Sequence, residues 1–271
     1  MKHHIISGAA SGIGYELARV LLARGDAVMA CDLKLEPMAQ LSSATTAAEN
    51  LQIRKLDVRD PARWEAIMQE AGSLWPRIDT VMNVAGVMRV GSIEEITPED
   101  VDFHFDINCK GVIHGTQAAF RAMRNQADQN GRGHIINIAS LAGISPIPGA
   151  SLYSASKFAV RGYSLSVMPE LKKFGIALTV VCPDAVATPM TAPFHHKPEA
   201  ALIFSGSRLL QIPEVVRAIV DHGLEKRPVE LTMPKSRAIL TKLAGALPGL
   251  ATKLFMESLT KQGRKKQAAL P

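Results

Sequence analysis

Tyr153 and Lys157 stand four residues apart in Tyr153-Ser154-Ala155-Ser156-Lys157, a spacing that puts both side chains on one face of a helix. A free tyrosine titrates near 10, too high for a base at neutral pH. A neighbouring ammonium favours the phenolate, and so does a nearby oxidised nicotinamide, which together would bring the phenol into range for proton transfer. Ser140 lies 13 residues before Tyr153, directly after an apolar run, and its hydroxyl is suited to holding a substrate oxygen. A lone Y-x-x-x-K is nearly uninformative, because many exposed helices contain one. Its weight comes from what surrounds it.

Upstream, Ser7-Gly8-Ala9-Ala10-Ser11-Gly12-Ile13-Gly14 joins the first apolar run to a helical stretch. Small residues let the backbone turn tightly and let a pyrophosphate reach the helix N-terminus, where free N–H groups and the dipole favour an anion. Asp32 follows Gly14 by 18 residues at the end of the second apolar run. An acid there accepts hydrogen bonds from both adenosine ribose hydroxyls and repels a 2′-phosphate, so the pattern favours NAD over NADP. Capping the next segment is the plainer use of Asp32, and Lys34 is the one neighbour that would tolerate NADP. Asp57 and Val58, after the third run, are placed beside the adenine, although Asp57 would serve equally as a cap for the helix near Pro61.

The elements that must position these residues alternate. Short β-branched runs at His4–Ile6, Ala27–Cys31, Gln52–Leu56, Asp79–Val84, His134–Ile138, Ile176–Val181 and Val229–Leu231 are separated by helical stretches such as Ile13–Ala23 and Pro61–Leu74. Runs apolar on both faces predict an α/β fold: a Rossmann-like, doubly wound parallel sheet of about seven strands in a single domain. The proline-rich segment 188–211 breaks the periodicity and is expected to be a substrate loop, with Met190 and Phe194 facing the substrate. Pro169 predicts a kink or an early helix end near Met168.

Taken together, these residues resemble the short-chain dehydrogenase/reductase family from about Lys2 to Leu231. The resemblance implies a tetrad: Tyr153 as acid/base, Lys157 lowering the tyrosine pKa and binding the nicotinamide ribose, Ser140 on the substrate oxygen, and Asn108 supporting Lys157 through a water. It implies cofactor contacts from Gly8, Ser11, Gly12, Ile13, Gly14, Asp32, Leu33, Asp57, Val58, Asn83, Ala85, Gly86, Tyr153, Lys157, Pro183, Val186 and Thr188. It also implies dimers or tetramers built on helices around Val101–Met123 and Ser154–Leu171. Two motif positions depart from the family pattern: Val84 stands where a second Asn is common, and Asp184 replaces the glycine after Pro183. Asp184 either faces the substrate or the nicotinamide, or only tolerates an unusual backbone angle.

Composition narrows the partners. The chain has 271 residues and a formal charge of +6, yet residues 232–271 hold eight basic residues against one acid, a local +7 that leaves −1 for residues 1–231. A nearly neutral body with few aromatics argues against nucleic acid. His3-His4 and His195-His196 lack the acid or thiol spacing of a metal site, and Cys109 has no histidine partner in sequence, so no metal is expected. Three cysteines without C-x-x-C spacing, no signal peptide and no spanning segment indicate a reducing, cytoplasmic setting.

The division expected is a dehydrogenase domain over 1–231 and a basic amphipathic extension over 232–271. That extension would pack on the core or a neighbouring subunit, or close as a lid over an apolar pocket. A foothold on an anionic membrane surface is its second use. The apolar loop residues point to NAD(H)-dependent interconversion of a hydrophobic secondary alcohol and its ketone. The alternatives are an NADP-dependent carbonyl or acyl-carrier reductase and a non-catalytic dinucleotide sensor or scaffold.

Overall fold

The computed structural model describes residues 1–127, 131–251 and 257–269. Seven strands form one sheet: β1 (His3–Ser7), β2 (Ala27–Asp32), β3 (Leu51–Lys55), β4 (Thr80–Asn83), β5 (Gly133–Ile138), β6 (Ile176–Pro183) and β7 (Glu230–Met233). Their spatial order is β3-β2-β1-β4-β5-β6-β7, and every pairing is parallel. The chain winds outward from β1 through β3, then returns to β4 on the other side. That reversal opens a crevice at the carboxyl ends of β1 and β4, where open α/β sheets bind ligands.

Both sheet faces are covered because the central strands are apolar on both. Ile136, Met82 and Val28 pack with Leu17 and Leu21 of α1 (Gly12–Ala23) and Val215 of α6 (Ile212–Ala218). On the opposite face, Ile135, Val81 and Leu178 pack with Trp64 and Ile67 of α2 (Pro61–Leu74) and with Ala118 and Met123 of α4 (Gly111–Met123). Each such fully buried aliphatic side chain contributes about 1.5–3 kcal/mol. A polar seam fixes β4 and β5 against the helices: Asn83 Nδ2 donates to Asn137 Oδ1 at 2.8 Å, and Asn137 Nδ2 to Ser164 Oγ at 2.9 Å.

Three segments differ in detail from their expected form. The long helix anticipated over Val101–Met123 comprises α3 (Pro98–His104), a π-helical turn at Phe105–Lys110, and α4. Helix α5 (Ser151–Lys172) does not end at Met168 but continues through Pro169 to Lys172. Segment 188–211 folds into short 3₁₀ turns at Ala192–Phe194 and Pro198–Ser205, with residues 200–205 buried.

Beyond the sheet come α7 (Lys235–Ala246), α8 (Pro248–Ala251) and α9 (Glu257–Gln267). Strand β7 itself crosses the boundary expected at Leu231. Helix α9 lies on the Pro198–Ser205 turn: a Cβ at Gly263 would come within 1.9 Å of the Ala201 carbonyl oxygen, and Gln267 Nε2 donates to the Phe194 and Lys197 carbonyls at 2.7 Å each.

Candidate active site

Every strand from β1 to β6 delivers a site residue at or just beyond its carboxyl end: Gly8, Asp32, Asp57, Val84 to Gly86, Ser140 and Asp184 in turn. They line one cavity of about 1240 Å³, together with Ser11, Gly12, Ile13, Gly14, Leu33, Val58, Tyr153, Lys157, Pro183, Val186, Thr188 and Met190. That volume exceeds the ~300–1,000 Å³ of an ordinary small-molecule site.

At the β1 end the backbone is pressed too closely for side chains. A Cβ at Gly14 would lie 2.1 Å from the Gly8 carbonyl oxygen, and Gly8, at φ +75°, would place one 2.7 Å from the Ala85 backbone. Ser11 precedes α1 without a side-chain capping bond, so its helix presents first-turn N–H groups to the cavity. Such a cradle fits a pyrophosphate. Asp32 is held ready beside it: Oδ2 accepts from the Ala10 N–H and Oδ1 from the Lys34 N–H, each at 3.1 Å, and each oxygen keeps a lone pair for a ribose hydroxyl. Asp57 is engaged by Arg59, whose Nη2 donates to Oδ2 at 2.6 Å, and the guanidinium holds that carboxyl below its usual range. We expect Gly14→Ala to lose about 1–3 kcal/mol of stability through overpacking, and to weaken dinucleotide affinity more than tenfold. Thermal melting with NADH fluorescence titration measures both.

At the β5 end, Ser140 Oγ accepts the Ala142 N–H at 3.1 Å, fixing the start of the turn at Leu141–Gly143. Lys157 is buried, and its Nζ donates to the Ile138 carbonyl at 2.9 Å, 5.7 Å from the centre of the Tyr153 ring. Burial pushes the Tyr153 phenol up to about 12, with the Ser140 hydroxyl pulling weakly the other way. The same burial pushes Lys157 down to about 8. In the cofactor-free chain the phenol is therefore neutral at pH 7.

Behind this wall, Asn108 sits in the π-helical turn with no exposure. Its Oδ1 accepts the Val87 N–H at 2.8 Å, while Nδ2 donates to the Val87 carbonyl and to Ser156 Oγ, each at 2.9 Å. Gly86 keeps the space between Asn108 and Lys157 open: a Cβ there would lie 3.3 Å from Asn108 Oδ1 and 3.4 Å from Lys157 Nζ. The asparagine thus braces the segment after β4 that carries Gly86 against the helix that carries Lys157.

A short chain dehydrogenase family model matches residues 2–199. The chain belongs to the short-chain dehydrogenase family. Oxidoreductase UcpA of Salmonella typhimurium is 35% identical over 190 residues, covering 70% of this chain and 71% of that protein. The 3-alpha-(or 20-beta)-hydroxysteroid dehydrogenase of Mycobacterium tuberculosis is 33% identical over 190 residues, with the same coverage. The crystal structure of a short-chain dehydrogenase from Streptomyces avermitilis superimposes with a TM-score of 0.77 at 26% identity, covering 97% of this chain and 98% of that one.

Within this short-chain dehydrogenase, Asn83 and Phe194 are two expected contacts that do not line the cavity. Asn83 is turned into the polar seam behind β4, and Phe194 packs with Val90, Ala200 and Phe204. Asp184 lines it, but its carboxylate is taken: Arg237 Nε lies 2.7 Å from Oδ2, and Arg237 Nη2 donates to Ser205 Oγ at 2.8 Å. Arg237 escaped sequence reading. Its signal was the acid in place of glycine after Pro183, because a buried carboxylate needs a cationic partner. Leu240, Leu243, Leu247, Leu250 and Leu259, all beyond residue 231, also line the cavity.

Proposed function

We propose that the protein is an NAD(H)-dependent oxidoreductase that interconverts a hydrophobic secondary alcohol and its ketone. The observation carrying this reading is the continuity of one cavity, from the glycine loop and Asp32, past Ser140 and Tyr153, to a wall of Ile147, Met190, Leu202, Ile203, Leu240 and Leu243. Dinucleotide recognition, proton transfer and an apolar substrate wall share one space.

Asp32 would accept the adenosine ribose hydroxyls and repel a 2′-phosphate, and the first turn of α1 would bind the pyrophosphate. A bound nicotinamide would supply the hydride donor or acceptor. Ser140 would hold the substrate oxygen by a hydrogen bond, and Tyr153 would give that oxygen a proton in ketone reduction or take one in alcohol oxidation. Lys157 would stand over the nicotinamide ribose and present its positive charge near the phenol. One relative is named for a hydroxysteroid, a class of substrate that agrees with the apolar wall. A cytoplasmic location accords with three buried free cysteines, and a homodimer or homotetramer is part of the same proposal.

Steady-state turnover of a panel of secondary alcohols with NAD and NADP tests this reading. Wild type is expected to favour NAD by more than tenfold in kcat/KM, and Asp32→Ser to lose most of that preference, a change of about 1.4 kcal/mol or more. Equal use of both cofactors by wild type would overturn the NAD assignment. Dinucleotide binding with no turnover of any alcohol or ketone would favour the sensor instead.

A further inference from the structure

Helix α7 is oriented the opposite way to an ordinary amphipathic surface helix. Its body-facing side is small or polar: Ala238 is buried, Arg237 reaches Asp184, and a Cβ at Gly245 would come within 2.2 Å of the Ile144 carbonyl oxygen. Its large apolar side chains point outward. Ile239, Leu240, Leu243 and Leu247 are 62%, 67%, 58% and 57% exposed, and Leu250 on α8 is 52% exposed. At 100° per residue, positions 239, 240 and 243 occupy one face, and with Leu247 at the C-cap they form an apolar patch. Leu240, Leu243, Leu247 and Leu250 also border the cavity, which places the patch at its mouth.

The charges around the patch select what covers it. Lys235 stands exposed beside the patch on α7, where Lys242 is paired with Glu230, and α9 turns Arg264 and Lys265 to solvent next to Lys261, which is paired with Glu257. Residues 232–271 carry a formal +7 against −1 for the rest of the chain. Two copies meeting tail to tail would bring two such positive segments together, whereas an anionic lipid surface complements them. Among the described residues no helix is long and apolar enough to cross a membrane. We propose that α7 and α8 lie in the interface of an anionic bilayer, leucines down, so that the cavity mouth opens onto lipid. That surface stands on the helix geometry and the charge around it. Its consequence, that the alcohol or ketone reaches Tyr153 from the lipid phase, rests on the proposed function.

The test is flotation of the full-length protein with vesicles of phosphatidylcholine alone or with about 30% phosphatidylglycerol, in ~0.1 M salt, where the Debye length is ~10 Å. Wild type is expected to partition onto the anionic vesicles at least about 20-fold more strongly, and higher salt to weaken it. Arg264→Glu/Lys265→Glu, at two exposed positions, should lose most of that preference, since each basic residue near the surface is worth about fivefold. Ile239→Ser/Leu243→Ser/Leu247→Ser should lose at least about tenfold with its melting temperature retained.

Wild type that ignores anionic vesicles, or a serine variant that floats as wild type does, would overturn the proposal. If wild type stays unbound and the serine variant alone drops in sedimentation mass, the patch belongs to a second copy. No cofactor or alcohol enters this assay, so its failure leaves the proposed reaction standing, and a failure of turnover leaves the lipid result standing.

Discussion

Tyr153→Phe is expected to lower kcat by about 10²–10⁴ in both directions while leaving NADH affinity within about threefold of wild type. The substitution removes only the hydroxyl, and the ring keeps its place beside Lys157 at the 5.7 Å separation from Nζ. The prediction has a pH component because burial pushes the phenol up to about 12. At neutral pH the chain presents a neutral phenol, which can give a proton to a carbonyl oxygen at once. Alcohol oxidation needs the phenolate, so its kcat should rise with pH through the alkaline range, while ketone reduction is flat below it. An oxidised nicotinamide adds positive charge and moves the oxidation limb to lower pH, leaving its direction unchanged. Stopped-flow and steady-state rates for both directions check this. A Tyr153→Phe variant within tenfold of wild type would remove Tyr153 from the chemistry, and Ser140→Ala would then be the substitution to compare.

Much of this arrangement was legible because parallel α/β topology converts sequence order into spatial order. Once each apolar run is a strand, whatever follows it lands at the same edge of the sheet, which is how Gly8, Asp32, Gly86 and Ser140 meet without any contact being predicted. Helix periodicity likewise brings Tyr153 and Lys157 to one face. What escaped depends on tertiary competition. Desolvation dominates both Lys157 and Tyr153 in the cofactor-free chain, and Nζ finds the Ile138 carbonyl, a partner that spacing does not show. Asn108 reads as a helical residue, but the π-helical turn that aims it at Val87 has no sequence mark distinct from its neighbours. Asn83 matched a family motif and belongs to a polar seam whose other members, Thr116, Asn137 and Ser164, lie on three separate elements. Arg237 lies 53 residues beyond Asp184, and only a question about the buried acid would have joined them. The tail could be read as basic and amphipathic, but not that α9 would press on the 198–205 turn while α7 left its leucines exposed at the cavity mouth.

Lys157→Met is expected to abolish turnover and yet stabilise the cofactor-free protein at pH 7. Burial lowers the ammonium from its ordinary 10.5 to about 8. Below pH 8 both the folded and unfolded chains carry the proton, and the folded state bears the full cost of a buried charge, about 3 kcal/mol. Between pH 8 and 10.5 the folded chain releases its proton first, the unfolded chain binds more protons, and stability rises with pH. Methionine has nearly the same length and fills the same channel without charge, but it leaves the Ile138 carbonyl without a donor, which returns about 1–2 kcal/mol of the gain. The net expectation is about 1–2 kcal/mol of added stability at pH 7, or a melting temperature higher by about 2–8 °C. The variant should also lose the wild-type rise in stability above pH 8. Thermal melts across that range, without dinucleotide, decide it. A variant less stable than wild type at pH 7, with the alkaline rise intact, would mean that Lys157 is not held against its own charge. If the variant is more stable, the lysine is retained at a cost to the fold.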